Sequence, residues 1–196
     1  MKIKHALTTA ALALATLGLA HGAVAAPIDN VVLVHGAYAD GSSWSEVIER
    51  LQKAGLHVTS VQNPLTSLAD DAAATQRAIA LQDGPTILVG HSWAGTVISQ
   101  AGNDPKVAGL VYVAARAPDA GEDYGALAAR FPTPPASAGL VKAGGFAQLS
   151  EPAFLHDFAG DIDPVKARVL YAEQGRISDA NLSLIHISEP TRLLSI

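Results

Sequence analysis

The stretch Thr86-Ile87-Leu88-Val89-Gly90-His91-Ser92-Trp93-Ala94-Gly95-Thr96-Val97-Ile98 constrains this chain more than any other. It opens as a run that reads as a buried strand. A serine then sits between two small positions, Gly90 and Ala94. A helical pattern starts at once, with Trp93, Val97, Ile98 and Ala101 on one face. A strand that passes into a helix through so tight a turn lifts the Ser92 hydroxyl above the sheet. Side chains two residues before and two after the serine would collide, so small residues are required there. The helix that follows aims its first N–H groups at the place where an oxyanion would form.

Strand, tight turn with serine at its tip, helix: this is the pattern of a nucleophile elbow. A bare G-x-S-x-G is a weak signal, and here the second glycine is displaced by one, with Ala94 in its place and Gly95 next to it. Alanine is still small enough for the turn. The alternative is a serine that merely caps an ordinary helix after a parallel strand.

The chain has 196 residues, a formal net charge of −5 and 49% hydrophobic residues, which suits one domain with a substantial core. The mild acidity and the lack of a Lys/Arg cluster argue against nucleic acid as a partner. With no cysteine, thiolate metal sites and a Cys nucleophile are excluded. The seven histidines form no H-x-x-x-H ligand pair. Residues 1–25 read as a signal peptide, with basic Met1-Lys2-Ile3-Lys4, an uncharged run from Ala6 to Ala20, and Ala23-Val24-Ala25 as a small-x-small site. Cleavage is expected after Ala25, giving a periplasmic or secreted protein. The apolar run is short for a membrane span, which needs about 20 residues, so no stable membrane insertion is expected.

Val31-Val32-Leu33-Val34 reads as a buried strand ending in the loop His35-Gly36-Ala37-Tyr38. Ser42 or Ser43 is expected to cap a helix carrying Trp44, Val47, Ile48 and Leu51 on one face. A strand from His57 to Val61 follows, then a helix opened by Ser67 with Asp70 as a capping box and running to about Leu81. After the elbow helix, Val107 to Val113 is another apolar strand. Strands alternating with helices predict a doubly wound, mostly parallel α/β sheet, so the His35 loop and Ser92 reach the same edge. From Arg116 to about Ile177, prolines punctuate short helical pieces and nothing reads as a central strand. This segment is expected to be a helical lid. Its leucines and aromatics either line an acyl pocket or simply pack the lid down.

Two stretches together, Val31 to Ala37 followed by Trp44, and Leu88 to Gly95, resemble the α/β-hydrolase fold. They are closest to the branch of plant methyl esterases, hydroxynitrile lyases and their bacterial esterase relatives. Asn63-Pro64-Leu65-Thr66-Ser67-Leu68 and Val111 to Ala115 through Ala117-Pro118-Asp119-Ala120-Gly121-Glu122 resemble the bacterial members. The resemblance implies that Ser92 is the catalytic nucleophile and that the backbone N–H groups of Ala37 and Trp93 form the oxyanion hole. It implies that His35 shapes its loop and is not the general base. It implies no cofactor and a small-molecule ester as substrate. The lyases carry threonine where this chain has Gly36, which favours ester hydrolysis. A lyase, or a non-catalytic binding protein of the same fold, is the alternative.

Such a serine needs a histidine to take its proton and a carboxylate to hold that histidine, in the chain order Ser, acid, His. After Ser92 only His156 and His186 remain. His156 lies inside the lid with no strand before it, and Asp119 reads as part of a turn. The segment Leu182 to Arg192 resembles the translation of a sequencing adapter, so 182–196 are expected to be an artefact. The two C-terminal strands bearing acid and histidine are then expected to be missing beyond about Asn181. On this reading the chain divides into a leader (1–25), the sheet (26–115), the lid (116–177) and a truncated end (178–196), and is expected to fold poorly or lack activity.

Overall fold

The structure is a computed structural model, and it describes residues 27–119, 122, 126 and 128–182. The leader 1–25 and residues 183–196 of the expected artefact lie outside the described residues. Four strands form the main sheet: β1 (Asn30–Val34), β2 (His57–Val61), β3 (Thr86–His91) and β4 (Val107–Val113). Their order is β2-β1-β3-β4 and every neighbouring pair is parallel. β1 lies between β2 and β3, with Val32 facing Thr59 on one side and Leu88 on the other.

Alternation along β1 builds a core on each face of the sheet. Val31 and Leu33 pack with Trp44, Ile48 and Leu51, the last two from α1 (Ser45–Lys53). Val32 and Val34 pack with Ile79, Val97 and Ile98, which come from α2 (Leu68–Ala80) and α3 (Ala94–Ala101). A strand covered on both faces can be apolar at every position, and Val32, Leu33 and Val34 are fully buried. The doubly wound α/β reading therefore holds. Among the described residues β4 stands at the sheet edge, with Val111 45% and Val113 40% exposed.

Two local expectations are corrected. The cap before α1 is Asp40, not Ser42 or Ser43. Its carboxylate accepts the Ser42 N–H at 2.8 Å, because the chain passes through a 3-10 turn, Gly41–Trp44, before α1 begins. In α1, Val47 is 36% exposed and does not join the buried face, while Ile48 and Leu51 pack against Val31 and Leu33 of the sheet. The box at Ser67 forms as expected, with Ser67 Oγ accepting the Asp70 N–H at 3.0 Å.

The segment after Arg116 is not wholly helical, which corrects the helical lid. It holds a three-stranded antiparallel sheet of β5 (Leu140–Ala143), β6 (Phe146–Leu149) and β7 (Ile177–Ser178). Gly144 and Gly145, at φ +60° and +82°, make the β5–β6 turn, which needs left-handed backbone at both central residues. A helical turn Glu151–Ala153 runs into a π-helical turn Phe154–Phe158, and α4 (Pro164–Glu173) follows, capped by Asp163. Leu149, Phe154, Ala159 and Ala167 form a small core within this region. Ala147 and Ile177 join the main core instead and tie the two together.

Candidate active site

The ends of β1, β3 and β4 meet at one cleft of about 810 Å³. Ala37, Ser92 and Trp93, three residues singled out in the sequence, all line it. Tyr38, Arg116 and Phe158 line it too, and sequence reasoning did not single them out as site residues. His156 and Asp119 do not line it. No histidine, aspartate or glutamate lines it among the described residues.

The backbone at this edge is strained. Ser92 and Ala114, directly after β3 and β4, have φ of +54° and +42°, and Tyr38, in the loop after β1, has φ +60°. Such conformations cost a non-glycine residue about 1–3 kcal/mol and persist only where the surroundings over-determine them. At Ser92 the surroundings are explicit. Its N–H donates to the Val113 carbonyl at 3.3 Å, and its carbonyl accepts the N–H groups of Gly95 and Arg116, both at 3.1 Å.

The glycines explain how the turn fits. A Cβ at Gly90 would lie 2.7 Å from the Ala94 carbonyl oxygen. A Cβ at Gly95 would collide with the Arg116 backbone carbonyl. The displaced glycine at 95 therefore serves the β4 loop that crosses the start of α3, while Ala94, fully buried, meets the small-residue need of the turn itself. A Cβ at Gly36 would lie 2.9 Å from both Ser92 Cβ and the His91 carbonyl oxygen, so the β1 loop rests directly against the elbow.

His35 is 1% exposed and fixed at both ring nitrogens. Its Nε2 accepts the Asn63 N–H at 2.9 Å, so the proton is on Nδ1, which donates to the Gly36 carbonyl at 2.9 Å. Asn63 Nδ2 donates in turn to the His35 carbonyl at 2.9 Å. Burial pushes the imidazole below its ordinary pKa and keeps it neutral. This histidine shapes the loop before Ala37 and is occupied at both nitrogens. His91 is also pushed down by burial and meets the Trp44 ring edge-on at 6.4 Å. Neither the Ala37 nor the Trp93 backbone N–H finds a backbone acceptor among the described residues.

The rest of the cleft wall is mostly apolar, from Leu140, Leu149, Ile177 and Leu182 with several alanines. Phe158, held on its π-helical turn, meets Tyr38 edge-on at 6.3 Å. The Arg116 guanidinium lies 5.4 Å from the Trp93 ring centroid, a cation–π arrangement. Burial pushes the Tyr38 phenol up, against the opposing pull of Arg116. Among the described residues no three His, Cys, Asp or Glu side chains gather closely enough to hold a metal ion.

The family model described as "Alpha/beta hydrolase family" matches residues 31–191. The chain belongs to the alpha/beta hydrolase family. A carbendazim hydrolyzing esterase from Nocardioides sp. is 31% identical over 156 residues, which are 71% of this chain and 61% of that protein. The chain thus spans less than two thirds of this curated relative. Among solved structures, polyneuridine aldehyde esterase superposes with a TM-score of 0.70 at 16% identity, covering 84% of this chain and 75% of that one. A pyrethroid hydrolase from Sphingobium faniae JZ-2 gives 0.64 at 21% identity, covering 82% and 72%. At such identities the structural likeness speaks for the fold alone.

Proposed function

We propose that the cleft is the active site of an exported, cofactor-free serine esterase with Ser92 as nucleophile. The observation that carries this reading is the serine at φ +54° between β3 and α3, in one cleft with the loop that presents Ala37. Ser92 Oγ attacks the ester carbonyl carbon, and the N–H groups of Ala37 and Trp93 hold the oxyanion. The C–O bond to the alcohol breaks, the alcohol leaves with a proton, and water then releases the acid from the acyl-enzyme and restores the hydroxyl. The hydrolase family and the esterase name of the 31% identical relative support this class of reaction. The volume and apolar walls of the cleft suit an acyl or alcohol group of medium size.

Gly36 favours hydrolysis over the lyase reaction of the same branch. The threonine expected of the lyases has no room here, because even a Cβ would press on Ser92. Activation of the serine is a separate matter. His35 is occupied at both nitrogens and His156 is outside the cleft wall. We propose that the 196-residue chain works near the residual level of a hydrolase without its base, about 10³–10⁴ over water.

A fluorophosphonate probe tests the nucleophile: a full-length version carrying the acid and histidine should label, and the same version with Ser92→Ala should not. Labelling that persists in Ser92→Ala, or ligand binding in the cleft with no covalent labelling at any pH, would overturn the esterase reading. The leader is tested by N-terminal sequencing of the exported protein, which should begin at Ala26.

A further inference from the structure

Asp71 is fully buried in the first turns of α2, yet neither its carboxylate nor its helix touches the cleft. Its Oδ2 accepts the indole N–H of Trp93 at 2.8 Å, and its Oδ1 accepts the backbone N–H of Leu65 at 2.7 Å. Burial pushes this carboxyl up, while the two hydrogen bonds pull it down. An aspartate in such a place is costly unless its partners hold it, and hydrophobic packing alone would not require it.

Its partners show what it connects. Trp93 follows the serine directly, and its backbone N–H is one of the two proposed oxyanion donors. Leu65 belongs to the loop between β2 and α2, where it adopts φ +60°, a strained conformation for a leucine. Two residues earlier in that loop, Asn63 grips both the ring and the carbonyl of His35. His35 and Gly36 then lead to Ala37, the other proposed donor. The Leu65 carbonyl also accepts the Ser178 N–H at 2.9 Å and Asn181 Nδ2 at 3.2 Å, which anchors the loop from its far side. A continuous path of hydrogen bonds and short backbone links thus runs from the Trp93 indole through Asp71, Leu65 and Asn63 to the Ala37 loop. On the opposite side the Trp93 ring carries the Arg116 guanidinium, which lines the cleft.

We infer that Asp71 is a positioning residue that sets the spacing of the two oxyanion donors, by clamping the Trp93 indole to the 63–65 loop that also holds the Ala37 loop. This rests on the esterase reading for its catalytic consequence, but not for its geometry. A carboxylate suits the task because it accepts from both donors at once. An amide cannot, since its NH₂ would face one of the two N–H groups.

The test uses the full chain, ¹⁵N-labelled, with Asp71→Asn, and Trp44→Phe to distinguish the two indole resonances. In Asp71→Asn the Trp93 indole resonance should move, and the backbone amides of both Ala37 and Trp93 should move with it. Nitrophenyl acetate turnover should lose about tenfold or more in kcat with KM within about twofold. That is less than the 10²–10³ for removing an oxyanion donor outright. Unmoved Ala37 and Trp93 amides, or an unchanged kcat per folded molecule, would overturn the proposal and leave Asp71 a core anchor. Absence of Ser92-dependent turnover in the parent chain is what a missing base predicts, and the amide shifts then decide the clamp alone; the esterase reading stands or falls separately, on fluorophosphonate labelling of Ser92. If Asp71→Asn does not fold, Trp93→Phe cuts the same link. Amide exchange at Ala37 should then quicken several-fold, and unchanged exchange there would refute the clamp.

Discussion

The parallel sheet and the region after Arg116 line the same cleft by opposite means. The sheet side contributes backbone: three strained residues in the turns and loop that follow the strands, glycines in contact with carbonyl groups, and buried polar side chains that hold loops in place. The lid side contributes apolar surface from Leu140, Leu149 and Phe158, over a small core of its own. The first is intolerant because each atom is fixed by several others. The second can be repacked, since hydrophobic walls of similar volume substitute for one another at modest cost. Under the proposed esterase reading, chemistry would belong to the sheet edge and selectivity to the lid.

Gly95→Ala should break that contrast most violently. A methyl at 95 meets the Arg116 backbone, which cannot rotate away, so a loss of about 4 kcal/mol or more is expected, read as loss of soluble protein or collapse of the urea midpoint. If the variant melts like the parent, the sheet edge is softer than argued. Phe154→Ala tests the lid in isolation. Phe154 is 1% exposed in the lid core, and its truncation should cost about 3–5 kcal/mol, confined to that region. Hydrogen exchange should quicken over 140–173 and stay slow in β1 and β3.

A smaller effect comes from pH. His35 and His91 are both held below their ordinary pKa of 6.5 by burial. The folded state then binds fewer protons than the unfolded one, so their contribution is complete above pH 6.5 and is lost as pH falls through the folded values. The urea midpoint should be level from pH 7 to 8 and decline below 6.5. His35→Gln should flatten part of that decline, and a midpoint that rose on acidification would contradict the neutral, doubly bonded ring. Phe158→Ala should do least to stability, because the ring is 38% exposed. It should raise KM for aromatic esters several-fold with kcat nearly unchanged. A large kcat effect would move the lid into the chemistry.

The same contrast explains what could be read in advance. β2 and β4 run from His57 to Val61 and from Val107 to Val113, the limits read from the sequence, because even these partly exposed edge strands keep β-branched residues that favour extended backbone. Ser92 was legible for a similar reason: small residues around a tight turn are a local signal. The hairpin at 140–149 was not seen. Its strands have four residues each, Lys142 and Gln148 interrupt them, and their third partner, β7, comes much later in the chain. Gly144-Gly145 was the available clue. The Asp40 cap was hidden by two serines that fit the role equally well. Nothing near Asp71 in the sequence points to it, since an acid in the first turn of a helix needs no other explanation. Its partners are distant in the chain, and only the fold brings them together.

The position of β1 between β2 and β3 has a bearing on how the chain reaches this state. Asn30 pairs with Thr86, which the ribosome adds only after both α1 and α2 have been made. Until then the run Val31 to Val34 has one neighbour and an open flank, and closing the sheet has to wait for a distant segment. During that interval the most water-averse stretch of the nascent chain is the one most in need of a chaperone.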